Sequence, residues 1–524
     1  MSTGSLPVRT RPLCSLRLLI ALLSAAGAVH AAGDVPADRS TSEPLLPLQA
    51  AIDEAVEHNL QVRIERHAVY AAEQDIEAAA AAFDPRIGLS GNVSQTERAT
   101  VAAATQATQL DNRNYSAGIN QRLPLGTELG LNTQLSRRDS DAGTDIVTLD
   151  YDSRIGASLR QPLLRGRGSV VNLAPLRLAE SRYSESRLVF RERFLQILAA
   201  TENAYWNVAY ANARLRLRES SVTLAENLVE EARARVELGL GTELDVLQAR
   251  SSLAARQEER IDARRELEDA RESLLRQLGR LEAPLDSVEA ATPYEVEGFY
   301  VVALPDAPPE VPRFSETWER ALFRDPGTAR QEELLRRREI DRRVARNNLR
   351  PSLDLVASGS FLGRDETAAR NAYQQALEQD GHSWRLGIEV SMPWGQREAK
   401  ARMRQADIRR EQSELELMDH KSALYQDIRR TWRNLETSAD REEAARFSRD
   451  LHERVYAQEE AKYAAGVSAT RELLEAQRDW DEARLRHLNA LLEQLRADIR
   501  LSQLDGTLLD RHGYRWDQDS QLID

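Results

Sequence analysis

The chain has 524 residues, 41% hydrophobic and 30% charged but only 5% aromatic, with a net charge of −13 and a single cysteine. A mean hydropathy of −0.54 excludes a bundle of membrane-spanning helices, and the acidic balance argues against nucleic acid as a partner, which asks for a basic face. So few aromatics in so long a chain point to extended helices with thin seams rather than thick globular cores.

In chain order, residues 1–31 read as an export signal. Arg9, Arg11 and Arg17 supply the positive region, and the apolar run over 16–29 ends at small residues before Ala31. That run is short for a bilayer span. Cys14 lies inside the signal and precedes the apolar run, so the mature chain carries no thiol, which excludes disulfides, zinc–thiolate sites and cysteine nucleophiles. Residues 32–44 read as a flexible mature N-terminus.

A first structural repeat spans 45–279: helix, strands over 84–161, long helix, glycine turn near 239, helix. Residues 280–314 hold Pro284, Pro293, Pro305, Pro308, Pro309 and Pro312, which break the helical pattern. A second repeat spans 315–506, with strands over 350–392 and a glycine turn near 466, and 507–524 is a tail. The duplication shows in the turns, where Gly239 is followed by Asp245-Val246-Leu247-Gln248-Ala249 and Gly466 by Glu472-Leu473-Leu474-Glu475-Ala476. Pro85 and Pro351 repeat as well, as do Pro162 and Pro393.

The long helices carry heptads. Val208, Leu215, Val222, Val229 and Val236 fall seven apart, with Ala204, Ala211, Ala225 and Ala232 beside them; Leu485, Leu488, Leu492, Leu495 and Ile499 follow the second turn. A seven-residue apolar repeat asks for a left-handed supercoil, and alanine on one seam lets helices approach closely. The strand segments alternate with period two: Tyr151, Ile155, Ala157 and Leu159 against Asp152, Arg154, Ser158 and Arg160, and Trp384, Leu386, Ile388 and Val390 against Arg385 and Glu389. An apolar face, a polar face holding arginines, and Tyr115, Tyr151 and Trp384 as a girdle on one common side make the pattern of an outer-membrane barrel. Runs from Ile87, Tyr115, Thr127 and Tyr151 give the first repeat four strands, and the second has two, joined by a loop from about Arg364 to Asp380. One chain has too few strands to close a membrane barrel, and open edges in lipid leave backbone groups unpaired, so copies must pool their strands.

The duplicated plan, the paired tip motifs and the strand exit at Met392-Pro393-Trp394-Gly395 resemble the TolC-type outer-membrane channels over nearly the whole mature chain. The fold class this implies is mainly α with a β-barrel part. Long coiled-coil helices form a periplasmic α-barrel, and amphipathic strands form a β-barrel shared within a trimer. The resemblance further implies residence in the outer membrane of a Gram-negative bacterium, surrounded by its lipid. The homotrimer would meet a periplasmic adaptor (membrane fusion) protein and an inner-membrane RND or ABC transporter, as the passive duct of a tripartite efflux pump or type I secretion system. The alternative is a periplasmic coiled-coil adaptor or structural protein without a pore. No enzyme, cofactor or metal site is expected, since neither a nucleophile–base constellation nor zinc spacing is visible.

The family's closed gate places acidic residues just past the second glycine turn, where this chain has Glu472 and Glu475. They lie three apart on one helix face, so three copies make two carboxylate rings, whose repulsion raises pKa values and attracts cations. Asp245 matches a family carboxylate that bonds a tyrosine across the tips, and Tyr463 stands at that tyrosine's position. Ser468 occupies the place of a family arginine, with Arg471 nearby. The tips themselves, Gly239, Leu240 and Gly241 and then Gly466, Val467 and Ser468, are the expected adaptor-docking points. The region 280–314 matches an equatorial belt, and the tail would wrap there. The family pattern is two strands per repeat, so a further hairpin in the first repeat either widens the barrel to about eighteen strands or folds elsewhere. The acidic segment from Asp139 to Asp145 is expected as a solvated external loop.

Overall fold

The computed structural model describes residues 45–97, 109–141, 147–239, 241–280, 300–301, 303–305 and 308–515. The expected signal (1–31), mature N-terminus (32–44), Leu240, much of the 280–314 belt and the end of the tail lie outside them. Among the described residues no helix is long and apolar enough to cross a membrane.

The chain begins with β1 (Leu45–Leu46), α1 (Leu48–His58) and α2 (Leu60–Ala80). Four strands follow, β2 (Arg86–Glu97), β3 (Gln109–Arg122), β4 (Glu128–Asp141) and β5 (Val147–Pro162). A short α3 (Ser169–Asn172) leads into α4 (Ala174–Glu237), 64 residues long, and α5 (Glu243–Leu278) returns beside it. After β6 (Tyr300–Val301), which pairs in parallel with β1, the order recurs: α6 (Phe314–Arg324), α7 (Pro326–Asn348), β7 (Ser352–Asp365), α8 (Ala369–Glu378), β8 (Gly381–Ser391), α9 (Arg397–Ala464) of 68 residues, α10 (Thr470–Leu504) and α11 (Thr507–Arg511). At 1.5 Å per residue α4 and α9 are each about 100 Å long.

The heptad positions form the helical core. Val208, Val222, Val229, Ala204, Ala211, Ala225 and Ala232 are buried, as are Leu492, Leu495 and Ile499, while Leu215 is partly buried against the same cluster. Beneath the tips α4, α5 and α10 also share a buried charged network. Arg218 pairs with Glu259 at 2.7 Å, Arg256 reaches Asp481 at 3.5 Å, and Ser221 Oγ donates to Asp481 at 2.9 Å. Burial pushes the Asp481 carboxyl above its ordinary range despite these arginines.

All six long strands form one antiparallel sheet in the order β2-β3-β4-β5-β7-β8. The further hairpin of the first repeat therefore continues the same sheet. It turns at Leu123–Thr127, where Gly126 has φ +91° and a Cβ would come within 2.5 Å of the Gly166 carbonyl. The sheet passes to the helices through an elbow at Gly166 and Gly168, whose carbonyls accept from Asn172 Nδ2 at 2.7 and 2.9 Å; the Gly166 N–H donates to Asn347 Oδ1 at 2.8 Å.

Three expectations need correction. Asp139 and Asp141 extend β4 rather than sitting in a loop; residues 142–146 lie outside the described set. The segment after Asp365 is not a plain loop, because Ala369, Ala372, Tyr373 and Ala376 fall at i, i+3, i+4 and i+7 and fold as α8 against the sheet. The three girdle aromatics do not share a level. Tyr115 lies opposite Leu135 and Tyr151 opposite the nearby Arg137, whereas Trp384 reads through Gly359 to Ala157 in the middle of β5.

Candidate functional site: strand wall and helical tips

The register gathers the period-two sets of all six strands onto two opposite faces. One cross-strand row reads Ile87, Ile119, Leu131, Ala157, Gly359, Trp384, and the next reads Leu89, Ala117, Thr133, Ile155, Phe361, His382. This apolar face is left uncovered over most of its area: Leu89 is 79% exposed, Trp384 77% and Leu386 65%. In water such a surface would be costly and aggregation-prone; in lipid it is what the solvent requires.

The opposite face is polar and mostly small. Ser90 and Ser116 hydroxyls meet at 2.7 Å and Ser360 and Ser383 at 2.8 Å, and Gly130 and Gly156 leave room between them. Near the helices Arg160 pairs with Asp354 at 2.6 Å and lies 4.0 Å from Glu389. At the far end α8 crosses the apolar face. Ser153 Oγ donates to the Ala372 carbonyl at 2.6 Å, the Tyr373 and Thr133 hydroxyls lie 3.0 Å apart, and Gly363 is obligatory because a Cβ there would reach 1.9 Å from the Ala372 carbonyl.

Neither outer edge, β2 or β8, has a partner strand among the described residues. An even number of antiparallel strands makes the two edges run in opposite directions. A rotated copy can therefore continue the ladder head to tail, and a ring of copies can close it.

At the other pole each helix pair reverses on a glycine in the left-handed region, Gly239 at φ +72° and Gly466 at +75°. The second reversal is a Schellman motif: the Val467 N–H bonds the Lys462 carbonyl at 3.0 Å and the Gly466 N–H the Tyr463 carbonyl at 2.9 Å. An acid at the third position caps each returning helix. Asp245 accepts from the Thr242 N–H at 2.9 Å and its hydroxyl at 2.7 Å, bonds that hold its carboxyl below the usual range. Glu472 accepts from Ser468 Oγ at 2.9 Å and from the Ala469 N–H at 3.4 Å. Glu475 is exposed on the same face. Ser468 also donates to Glu459.

Tyr463 and Asp245 do not bond each other within the chain. Thr470 stands between them, its hydroxyl 3.4 Å from the Tyr463 hydroxyl and a secondary partner of the Asp245 carboxylate. The contact that grips Tyr463 is one that local sequence could not show. Arg235, at the end of α4, lies 3.8 Å above the buried tyrosine ring and donates to its backbone carbonyl at 2.5 Å, while Glu231 holds the guanidinium at 3.0 Å. Leu228, Val229, Ala232, Tyr456 and Leu473 continue this junction between the helix pairs. Leu238, Leu244, Leu247 and Val467 are all exposed around the two turns.

A sheet apolar on one face and polar on the other, open at both edges and continuous with 100 Å helices, defines a protomer of an oligomeric membrane channel. The model of the outer membrane efflux protein family matches residues 125–280 and 318–507. The chain is 28% identical over 372 residues to the alkaline protease secretion protein AprF of Pseudomonas aeruginosa, covering 68% of this chain and 71% of that one. It is 23% identical over 366 residues to the probable efflux pump outer membrane protein TtgC of Pseudomonas putida, covering 69% and 70%. Among solved structures it resembles the CmeC outer membrane channel of Campylobacter jejuni, with TM-score 0.63, 15% identity and coverage of 90% and 87%. The VceC outer membrane protein of Vibrio cholerae gives TM-score 0.61, 14% identity and coverage of 88% and 96%. The chain belongs to the outer membrane efflux protein family. It is an outer-membrane channel for efflux or secretion, anchored by its strands and extending into the periplasm by its helices.

Proposed function

We propose that the protein works as a homotrimer in which three six-stranded sheets close one barrel of about eighteen strands. The observation that carries this reading is the amphipathic sheet with two unpaired, oppositely directed edges. The repeats 45–279 and 315–506 would contribute matched helix pairs to a periplasmic tube. In this reading the trimer is a passive duct without a catalytic step. An adaptor protein docks on the tips at Gly239, Leu240, Gly241, Gly466, Val467 and Ser468, and an RND or ABC transporter supplies the energy.

The tips are the gate. Glu472 and Glu475 from three copies ring the axis and attract cations, while Asp245 and Tyr463, with Thr470 between them, hold the two helix pairs together. Reconstitution of the full protein into a planar bilayer tests the reading. Cation-selective conductance from a heat-modifiable trimer is expected; a water-soluble monomer that gives no conductance would overturn it.

A further inference from the structure

Part-way along the coils, between α4, α9, α10 and residues 303–305, lies a cavity of about 530 Å³. Four arginines line it, Arg216, Arg446, Arg449 and Arg484, together with His487, against a wall that includes Leu488. Such a concentration of positive charge is out of character for a chain of net charge −13.

The nearby carboxylates do not balance it. Arg449 is committed to Asp450 at 2.6 Å and to His487 Nδ1 at 3.2 Å, and His487 in turn faces the buried Glu442 at 3.1 Å. Arg484 lies 4.7 Å over the Trp480 ring. Arg216 and Arg446 have neither a hydrogen bond nor an ion pair among the described residues, although Arg446 acts on Asp450 at longer range. Asp450, Glu442 and, through its field on Arg484, Asp481 are three carboxylates against four guanidiniums, which leaves an excess of positive charge, with Arg216 and Arg446 exposed to solvent. Guanidinium forks match oxyanions two bonds at a time.

We propose that this cavity is a binding site for a compact multivalent oxyanion, a diphosphate or a polycarboxylate, gripped by Arg216 of α4 and Arg446 of α9. Arg216 comes from the first helix pair and Arg446 from the second, so the ligand ties the two halves of the protomer at mid-height. Binding to the folded chain alone also raises its stability by mass action. The inference uses only the cavity and its charges, and it stands or falls independently of the gate and the strand count.

Calorimetric titration of the full protein in detergent tests it, with inorganic pyrophosphate and citrate as probes and acetate at matched ionic strength as control. Saturable binding at least about tenfold tighter than acetate is expected, together with a rise in Tm. Arg216→Gln and Arg446→Gln should each weaken it about tenfold without changing the ligand-free Tm. Should either glutamine variant misfold, Arg446→Lys keeps the charge and removes the fork, and it should still bind more weakly. Preference for pyrophosphate or for citrate assigns the ligand class. Absence of saturable binding, or binding that survives both glutamine variants unchanged, would overturn the proposal.

Discussion

The strand wall and the helical coils treat apolar residues in opposite ways. In the coils the seam residues Val208, Ala211 and Ile499 are each 1% exposed, and only outside the seams do apolar side chains such as Ile408, Leu415, Met418 and Phe447 of α9 stand open. In the wall Ile87, Leu89 and Ile388 stand open while Ser90, Ser116 and Ser158 occupy the reverse face. One chain thus carries two hydrophobic codes, a period of seven read by neighbouring helices and a period of two read by lipid. The difference teaches that exposure alone does not mark an error or a docking patch, since the solvent differs at the two ends.

The sharpest way to break this comparison is to swap the codes. Leu386→Arg with Ile388→Arg puts two charges on the lipid face, at about 2–4 kcal/mol each near the midplane, and should abolish the heat-modifiable band in membrane fractions. Ser358→Arg on the opposite face should leave assembly intact and lower only single-channel conductance.

At the tips the effect is smaller. Losing a cation–π contact costs about 0.5–2 kcal/mol, so Arg235→Gln and Tyr463→Leu should each raise the open fraction in bilayers about 2- to 30-fold. Tyr463→Phe separates the contacts: if the ring under Arg235 holds the tip it stays closed, and if the hydroxyl does it opens. Glu472→Gln with Glu475→Gln should reduce cation selectivity and divalent block, and unchanged reversal potentials would remove the rings from the gate.

The smallest effect belongs to the buried network. Because the folded-state pKa of Asp481 is raised, its charged form opposes folding, and that cost disappears as pH falls through the folded value. The Tm of the native protein relative to Asp481→Asn should therefore rise between neutral pH and the acid side. A constant difference would show that the arginines fully compensate the burial.

Much of this was legible in the chain. The heptads place the seams because helix packing repeats locally, and alternation assigns both sheet faces because a strand's side chains reverse at every residue. What escaped depends on distance or on short signals. Arg235 and Tyr463 are 228 residues apart, and neither neighbourhood points to the other. The four-residue stripe of α8 is too brief to announce a helix, and only the missing side chain at Gly363 shows what it packs on. The level of Trp384 follows from register, which composition does not set.

Cysteine cross-linking between the two sheet edges is the most direct test of pooled strands. On a background with Cys14 replaced, single cysteines at Ile87, Leu89 or Val93 on β2 would be combined with cysteines at Leu386, Ile388 or Val390 on β8. Oxidation in membranes should produce covalent trimers for the pairs that fall in register, with closed rings resistant to boiling. Cross-links confined to single chains, or none at any register, would contradict a barrel shared between copies.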